Sequence, residues 1–181
     1  MQVKAVVTGG AGFIGSHLSE KLIEENFEVT ILDNFSTGRM QNIKHFKKNV
    51  EIVNCDLSIK GKWLKHIENA NYVFHLAALA DIVPSIQNPI SYFNSNVLST
   101  LNVLTSISKD KIKKIVYAAS SSCYGIPDQF PTSENNKIDP QYPYALTKRL
   151  GEELIEHWGQ VYDLPVISLR LFNVYGTRSR T

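Results

Sequence analysis

The sequence predicts an α/β fold, a doubly wound parallel sheet with helices on both faces. Six apolar runs of strand length alternate with helix-length segments along the whole chain. Several of those runs are apolar at nearly every position, as strands covered on both faces must be, and the segments between them repeat apolar residues at three- and four-residue steps. Parallel neighbours need a crossover, and crossover helices cover both faces of the sheet, so the rhythm specifies the architecture.

The strands in order are "VKAVVTG" (3–9), "EVTILD" (28–33), "VEIVNC" (50–55), "NYVFHLA" (71–77), "KIVYAAS" (114–120) and "PVISLRL" (165–171). Helices are expected at "GFIGSHLSEKLIEEN", around 58–69, from about 88 to 108, and at "YALTKRLGEELIEHWGQVY". The stretch 121–142 is the longest irregular segment. Four of the seven prolines fall in "GIPDQFPTSENNKIDPQYP", and a long loop past a strand's carboxyl end is where an open α/β sheet holds ligands.

Composition bounds the function. At 181 residues, 43% hydrophobic and 20% charged, the chain supports one domain with a full core. A net charge of +2 with dispersed basic residues argues for no nucleic-acid partner, and "KDKIKK" (109–114) reads as a solvated turn. Cys55 and Cys123 lack ligand spacing, so no metal site and no disulfide framework is expected. Without an 18-residue apolar run or a leader pattern, no membrane association is expected and the cytoplasm is the default.

"TGGAGFIGSHL" joins the first strand to the first helix. It satisfies GxGxxG through Gly10, Gly12 and Gly15, and GxxGxxG through Gly9, Gly12 and Gly15. Either reading gives a tight turn whose backbone N–H groups and helix N-terminus can approach a pyrophosphate. Asp33 ends the second strand, where a carboxylate accepts hydrogen bonds from ribose hydroxyls; this favours NAD over NADP, with Arg39 the nearby counter-argument. Asp56, after the third strand, either caps a helix from Ser58 or bonds the adenine.

Tyr144 and Lys148 stand one helical turn apart in "YPYALTKRL". Eight tyrosines in a lysine-rich chain yield about 0.6 such pairs by chance, so the pair gains meaning only from the glycine loop, Asp33 and the serine run before it. The bland alternatives are that Tyr144 packs under Pro143 with Lys148 solvated, and that "SSS" is a turn. His75 reads as a satisfied core histidine, His17 as packing, and Trp63 and Trp158 as buried against the sheet. "RSRT" (178–181) reads as a diphosphate grip or a frayed end.

With "TGGAGFIGSH", "DNFSTGR", "HLAALA", "SSSCYG", "YPYALTK" and "LRLFNVYG" in this order, the chain resembles the extended short-chain dehydrogenase/reductase family, whose fold is Rossmann-type. Within it the chain is most similar to nucleotide-sugar epimerases acting on UDP-glucose or UDP-N-acetylglucosamine. The resemblance implies that residues 1–181 form the NAD-binding domain, with a substrate domain largely missing after Thr181. It implies Tyr144 as acid/base, Lys148 as its electrostatic partner and Ser120 as the triad hydroxyl. Ser121 and Ser122 occupy the positions where related dehydratases carry Asp and Glu, which disfavours elimination; a carboxylate at 122 is also usual in decarboxylases.

The resemblance further implies cofactor contacts from the backbone of Phe13 and Ile14, from Asn34, Ser36, Thr37 and Gly38, and from Leu57, Leu76, Ala77, Ala78, Leu79, Asn96 and Phe172. It also implies Tyr144 and Lys148 as cofactor contacts, and Ser85, Ser120, Tyr144 and Asn173 as substrate contacts. The bland readings are packing for Ala77 to Leu79 and helix capping for Asn94 and Asn96. A homodimer through the 88–108 segment and the helix from Tyr144 is a further expectation from the resemblance. A free tyrosine, pKa about 10, is a poor base at neutral pH, so the nearby ammonium and the positive nicotinamide are expected to favour its phenolate.

Overall fold

The computed structural model describes residues 2–179. Strands β1 (Lys4–Thr8), β2 (Glu28–Asp33), β3 (Val50–Asn54), β4 (Tyr72–His75), β5 (Lys114–Ser120) and β6 (Val166–Leu171) form one sheet in the order β3-β2-β1-β4-β5-β6. Every neighbouring pair is parallel. This is the Rossmann order, in which the chain steps outward from β1 to β3 and then returns past β1 to β4. Connections leave β1 and β4 in opposite directions, so a crevice opens at their carboxyl ends.

Two apolar layers flank the sheet because successive strand residues point to opposite faces. Ala5, Val7, Val29 and Ile31 pack with Leu22 of α1 (Phe13–Glu24), Ile43 of α2 (Met40–Ile43) and Phe46. Val6, Leu32, Ile115 and Tyr117 face the other way, against Ile67 of α3 (Leu64–Glu68), Val103 of α6 (Ser99–Leu104) and Ile155 of α7 (Pro143–Tyr162). Trp63 is buried in that second layer, and Trp158 packs at its edge.

Three segments depart from expectation. The 58–69 helix shrinks to Leu64–Glu68 because Asp56 Oδ1 accepts both the Ser58 N–H (2.8 Å) and the Ser58 hydroxyl (2.7 Å), closing a local turn instead of capping a helix. The 88–108 helix is preceded by α4 (Ile82–Gln87); Asn88, restricted by the proline that follows, breaks α4 from α5 (Pro89–Phe93). Between α5 and α6 the chain makes a π-helical turn, Asn94–Leu98. Asn94 and Asn96 therefore sit inside a helical run and do not cap it.

A buried polar relay ties β1 to β4. Thr8 Oγ1 accepts the N–H groups of Leu76 and Ala77, each at 3.1 Å, so its own proton goes to His75 Nδ1 at 2.8 Å. Nε2–H of His75 then donates to Thr100 Oγ1 (2.9 Å), whose proton goes to the Asn96 carbonyl. Both ring nitrogens are satisfied by a neutral imidazole, and burial, reinforced by the Lys148 charge, pushes the His75 pKa down to about 3. His75 is the satisfied core histidine expected.

This shift gives a sign. Between about pH 6.5 and 3 the unfolded chain binds a proton at His75 and the folded chain does not, so this stability is present above pH 6.5 and is lost on acidification. In His75→Gln the stability at pH 7 should fall by about 1–3 kcal/mol, while its further decline from pH 6.5 to 4 becomes shallower than in the parent, as read by urea unfolding at several pH values.

Candidate functional site

The cleft starts at the glycine loop. Gly9 has φ +69°, a left-handed conformation, and a Cβ there would lie 2.9 Å from the Ala77 backbone, so the close approach of β1's end to β4's end requires glycine. Gly12 caps α1, its N–H bonded to the Gly9 carbonyl at 3.0 Å, and a Cβ on Gly15 would collide with that same carbonyl. The GxxGxxG reading is thus the one the fold realises. Gly10 instead lies against the Ile31 side chain, where a Cβ would be 2.7 Å away, and packs the loop onto β2. No side chain caps α1, so the first-turn N–H groups of Phe13 and Ile14 face the cleft without an intrahelical acceptor.

Asp33 is buried beside this loop and lines the cleft. Its Oδ2 accepts the Ala11 N–H (2.9 Å) and its Oδ1 the Phe35 N–H (2.8 Å), so the carboxylate is oriented by backbone on both sides. Gly38 approaches so closely that a Cβ would sit 2.8 Å from both carboxylate oxygens. Asn34, Ser36 and Thr37 join Asp33 along one wall, Asp56 and Leu57 another, and Leu76, Ala77 and Ala78 the floor. Leu32, Cys55, Ser95, Ser99 and Ala118 also line it and were not anticipated; they are strand ends or helix residues whose pattern in sequence is only that of core.

A donor-rich helix start, a glycine cradle that a Cβ would fill and a carboxylate fixed at the end of β2 together fit a dinucleotide. The cradle is preformed.

A second cleft shares Ile14, Leu76, Ala78 and Ala118 with the first, so the two are continuous. Here Ser120, Ser121, Ser122, Tyr144, Lys148, Phe172 and Asn173 come together. Ser120 ends β5 and its hydroxyl accepts the Ser122 N–H at the start of a 3₁₀ turn (Ser121–Tyr124), with the Ser122 hydroxyl 2.7 Å away. The run is both turn and cleft wall. Tyr124, Tyr142 and Thr132 line the same space and were missed, because tyrosine and threonine in a proline-rich loop carry no spacing signal.

Tyr144 and Lys148 are set at the start of α7. The Lys148 side chain is 3% exposed, which rules out the solvated reading. Burial lowers its pKa to about 8, against the raising effects of Cys123 and Glu152. Tyr144 departs from expectation: burial raises its pKa, outweighing a lowering hydrogen bond from Ser120. In the protein by itself Tyr144 is a neutral phenol at neutral pH.

Three residues expected to touch a ligand are spent on holding the site. Ser85, fully buried, accepts the Tyr144 N–H at 3.1 Å, a first-turn donor of α7, and its own hydroxyl goes to Ile82 O. Asn96 receives the Leu79 N–H (2.8 Å) and donates to Leu79 O and to Thr147 Oγ1, which uses all its amide hydrogens. Leu79 is thereby fixed by its backbone and stays off both cleft walls.

On the other side of α7, Glu152 is 2% exposed and bonds Arg149, Arg170 and Ser168, each at 2.8–3.0 Å. Arg170 also reaches the Tyr124 hydroxyl and the Glu134 carbonyl, so one carboxylate joins α7, β6, the serine turn and the proline-rich loop. His17 Nε2 lies 2.9 Å from Thr177 O, and Arg178 pairs with Glu20, so the segment after β6 is strapped onto α1. Of "RSRT", Arg180 and Thr181 lie outside the described residues. Among the described residues no cluster of three His, Cys, Asp or Glu side chains could hold a metal, and no helix is long and apolar enough to cross a membrane.

The family described as the NAD dependent epimerase/dehydratase family matches residues 5–181. A protein of Methanocaldococcus jannaschii, provisionally named UDP-glucose 4-epimerase, is 43% identical over 175 residues, which cover 96% of this chain and 56% of that one. UDP-glucuronic acid decarboxylase 1 of Danio rerio is 33% identical, covering 97% of this chain and 42% of that one. UDP-N-acetylglucosamine 4-epimerase of Methanobrevibacter ruminantium, solved with UDP-N-acetylmuramic acid, superposes with TM-score 0.90 at 37% identity, covering 98% of this chain and 57% of that one. The chain spans about half the length of the relatives it matches.

Replacing Glu152 by Gln should cost about 2 kcal/mol in urea unfolding, since Arg149 and Arg170 keep partial exposure and the loss falls below that of a fully buried pair.

Proposed function

Since the chain belongs to the NAD-dependent epimerase/dehydratase family, we propose that it is the cofactor-binding and proton-transfer part of an enzyme that inverts C4 of a UDP-activated sugar. The observation that carries this reading is the continuity of the two clefts. The wall built by Asp33 and the glycine loop leads directly to Ser120, Tyr144 and Lys148.

In this reading the Tyr144 oxygen, as phenolate, takes the proton of the sugar's C4 hydroxyl, and Ser120, on the wall of the same cleft, orients that hydroxyl. NAD, when bound, supplies the carbon that accepts hydride from C4 and gives it back, together with a positive charge. Because burial holds Tyr144 as a phenol, positive charge in the cleft is what brings it into range as a base, and Lys148 contributes the protein's share. After the 4-keto sugar turns over, Tyr144 returns the proton while hydride arrives on the opposite face. Atoms and electrons balance with no net oxidation.

Asn173 and Phe172 bound the sugar side of the cleft. A decarboxylase is the nearest competing reading, given the relative that carries that name. Ser122, hydrogen-bonded to Ser120, stands where the resemblance puts a carboxylate in such enzymes, which favours epimerisation. We further propose a homodimer through α4, α5 and α7, which pack on one another and leave Ile86, Ile90, Phe93 and Leu146 exposed.

Incubation with NAD and a panel of UDP-sugars, followed by NMR, should reveal C4 inversion; NAD binding without turnover would leave a cofactor-binding module only. Where turnover occurs, Tyr144→Phe should lower it by about a thousandfold or more with NAD affinity unchanged, and retained activity would sink the assignment. NAD should bind more tightly than NADP, whose extra phosphate Asp33 repels. In sedimentation experiments a double change, Ile90→Glu with Phe93→Glu, should turn a dimer into a monomer.

A further inference from the structure

We infer that Tyr117, in the middle of β5, is the positioning residue for Lys148, its ring face forming the seat on which the ammonium is held. Lys148 Nζ lies 4.5 Å from the centroid of the Tyr117 ring, and both residues are almost completely buried, at 3% and 1% exposure. A buried ammonium needs a compensating partner, and an aromatic face in a water-poor site is one. Glu152, one turn further along α7, is already committed to Arg149, Arg170 and Ser168. The inference rests on the reading that gives Lys148 its role beside Tyr144.

The seat is built for the ring. Gly151 lies inside the 20-residue α7, a position where glycine weakens a helix and calls for a reason. A Cβ there would collide with the Tyr117 hydroxyl, so the glycine makes room for the tyrosine. The hydroxyl reaches the Lys148 carbonyl at 3.5 Å. His75 packs against the same ring, centroids 5.6 Å apart and tilted by 35°. Because the Thr8 and Thr100 hydroxyls are satisfied by a neutral imidazole, no second cation competes with Lys148 for the tyrosine. The remaining titratable neighbours are Cys123 and Tyr144, both with raised pKa and so neutral at neutral pH.

The relay that orients the cofactor floor and the seat under Lys148 therefore meet at one tyrosine. A residue at 117 without a face would leave the ammonium buried and unsupported.

The test reads Lys148 itself, so it is independent of any turnover. In the unliganded protein, the Lys148 Hε resonances should be displaced upfield by the ring current, and ordinary lysine shifts there would overturn the inference. Tyr117→Phe keeps the face and should keep both the displaced resonances and the Lys148 titration near pH 8. Tyr117→Leu should abolish the displacement, lower the Lys148 pKa by about one unit and weaken NAD binding by about tenfold. A Lys148 pKa in folded Tyr117→Leu equal to or above that of the parent would overturn it. Failure of the sugar panel with these shifts intact would fault the proposed reaction and leave the seat standing.

Discussion

The hydroxyl of Thr8 governs the cleft. β1 and β4 run side by side and then must part, one toward α1 and the other toward α4, and as the ladder ends the Leu76 N–H keeps only a long bond to the Thr8 carbonyl, at 3.3 Å. Thr8 Oγ1 takes the N–H groups of both Leu76 and Ala77 at that point. The sheet is closed just beneath its opening. Gly9 can then turn left-handed against Ala77, and the glycine loop and the floor of the cleft face each other at a fixed separation. A two-proton acceptor at the end of β1 is the constraint from which the crevice follows.

From that closure the polar relay carries order across the sheet to α7. His75, Thr100 and the Asn96 backbone pass hydrogen bonds from β1 to the π-helical turn, and the Asn96 side chain passes them on to Leu79 and Thr147. A π turn adds a residue to the helix and so rotates one side chain out of the regular ridge. Here that residue is the asparagine joining the cofactor floor to α7. Ser85 completes the arrangement by accepting the Tyr144 N–H, so the start of α7 is capped from a separate helix.

The sheet was legible because its signals are local. Strand-length apolar runs place all six strands within a residue or two, and the glycine loop with Asp33 marks the crevice. Tyr144 and Lys148 do line one cleft with the serine run, as their order in the sequence suggests, and Lys148 is buried there, which the sequence alone does not reveal. What escaped are effects set by three-dimensional neighbours. Ser85, Asn96 and Leu79 resemble ligand contacts in a linear motif, yet each is also bonded by a residue 17 to 59 positions away. The direction of the Tyr144 shift escaped as well, since the lysine four residues off is visible in sequence whereas the burial that raises the phenol's pKa is not. The helix of 58–69 failed because an Asx turn at Asp56 outcompetes helix initiation locally.

Asp33 bears on any attempt to redesign cofactor preference. Its carboxylate is a structural acceptor: one oxygen holds Ala11 in the glycine loop and the other holds Phe35, which sits at φ +58°. An exchange at 33 for a neutral or basic residue would remove repulsion of a 2′-phosphate and at once release two backbone anchors of the phosphate cradle. Selectivity is thereby welded to loop architecture. Variation at Asn34, Ser36 and Arg39, exposed on the rim, is the route by which affinity for one dinucleotide can be traded for the other without dismantling the loop that grips both.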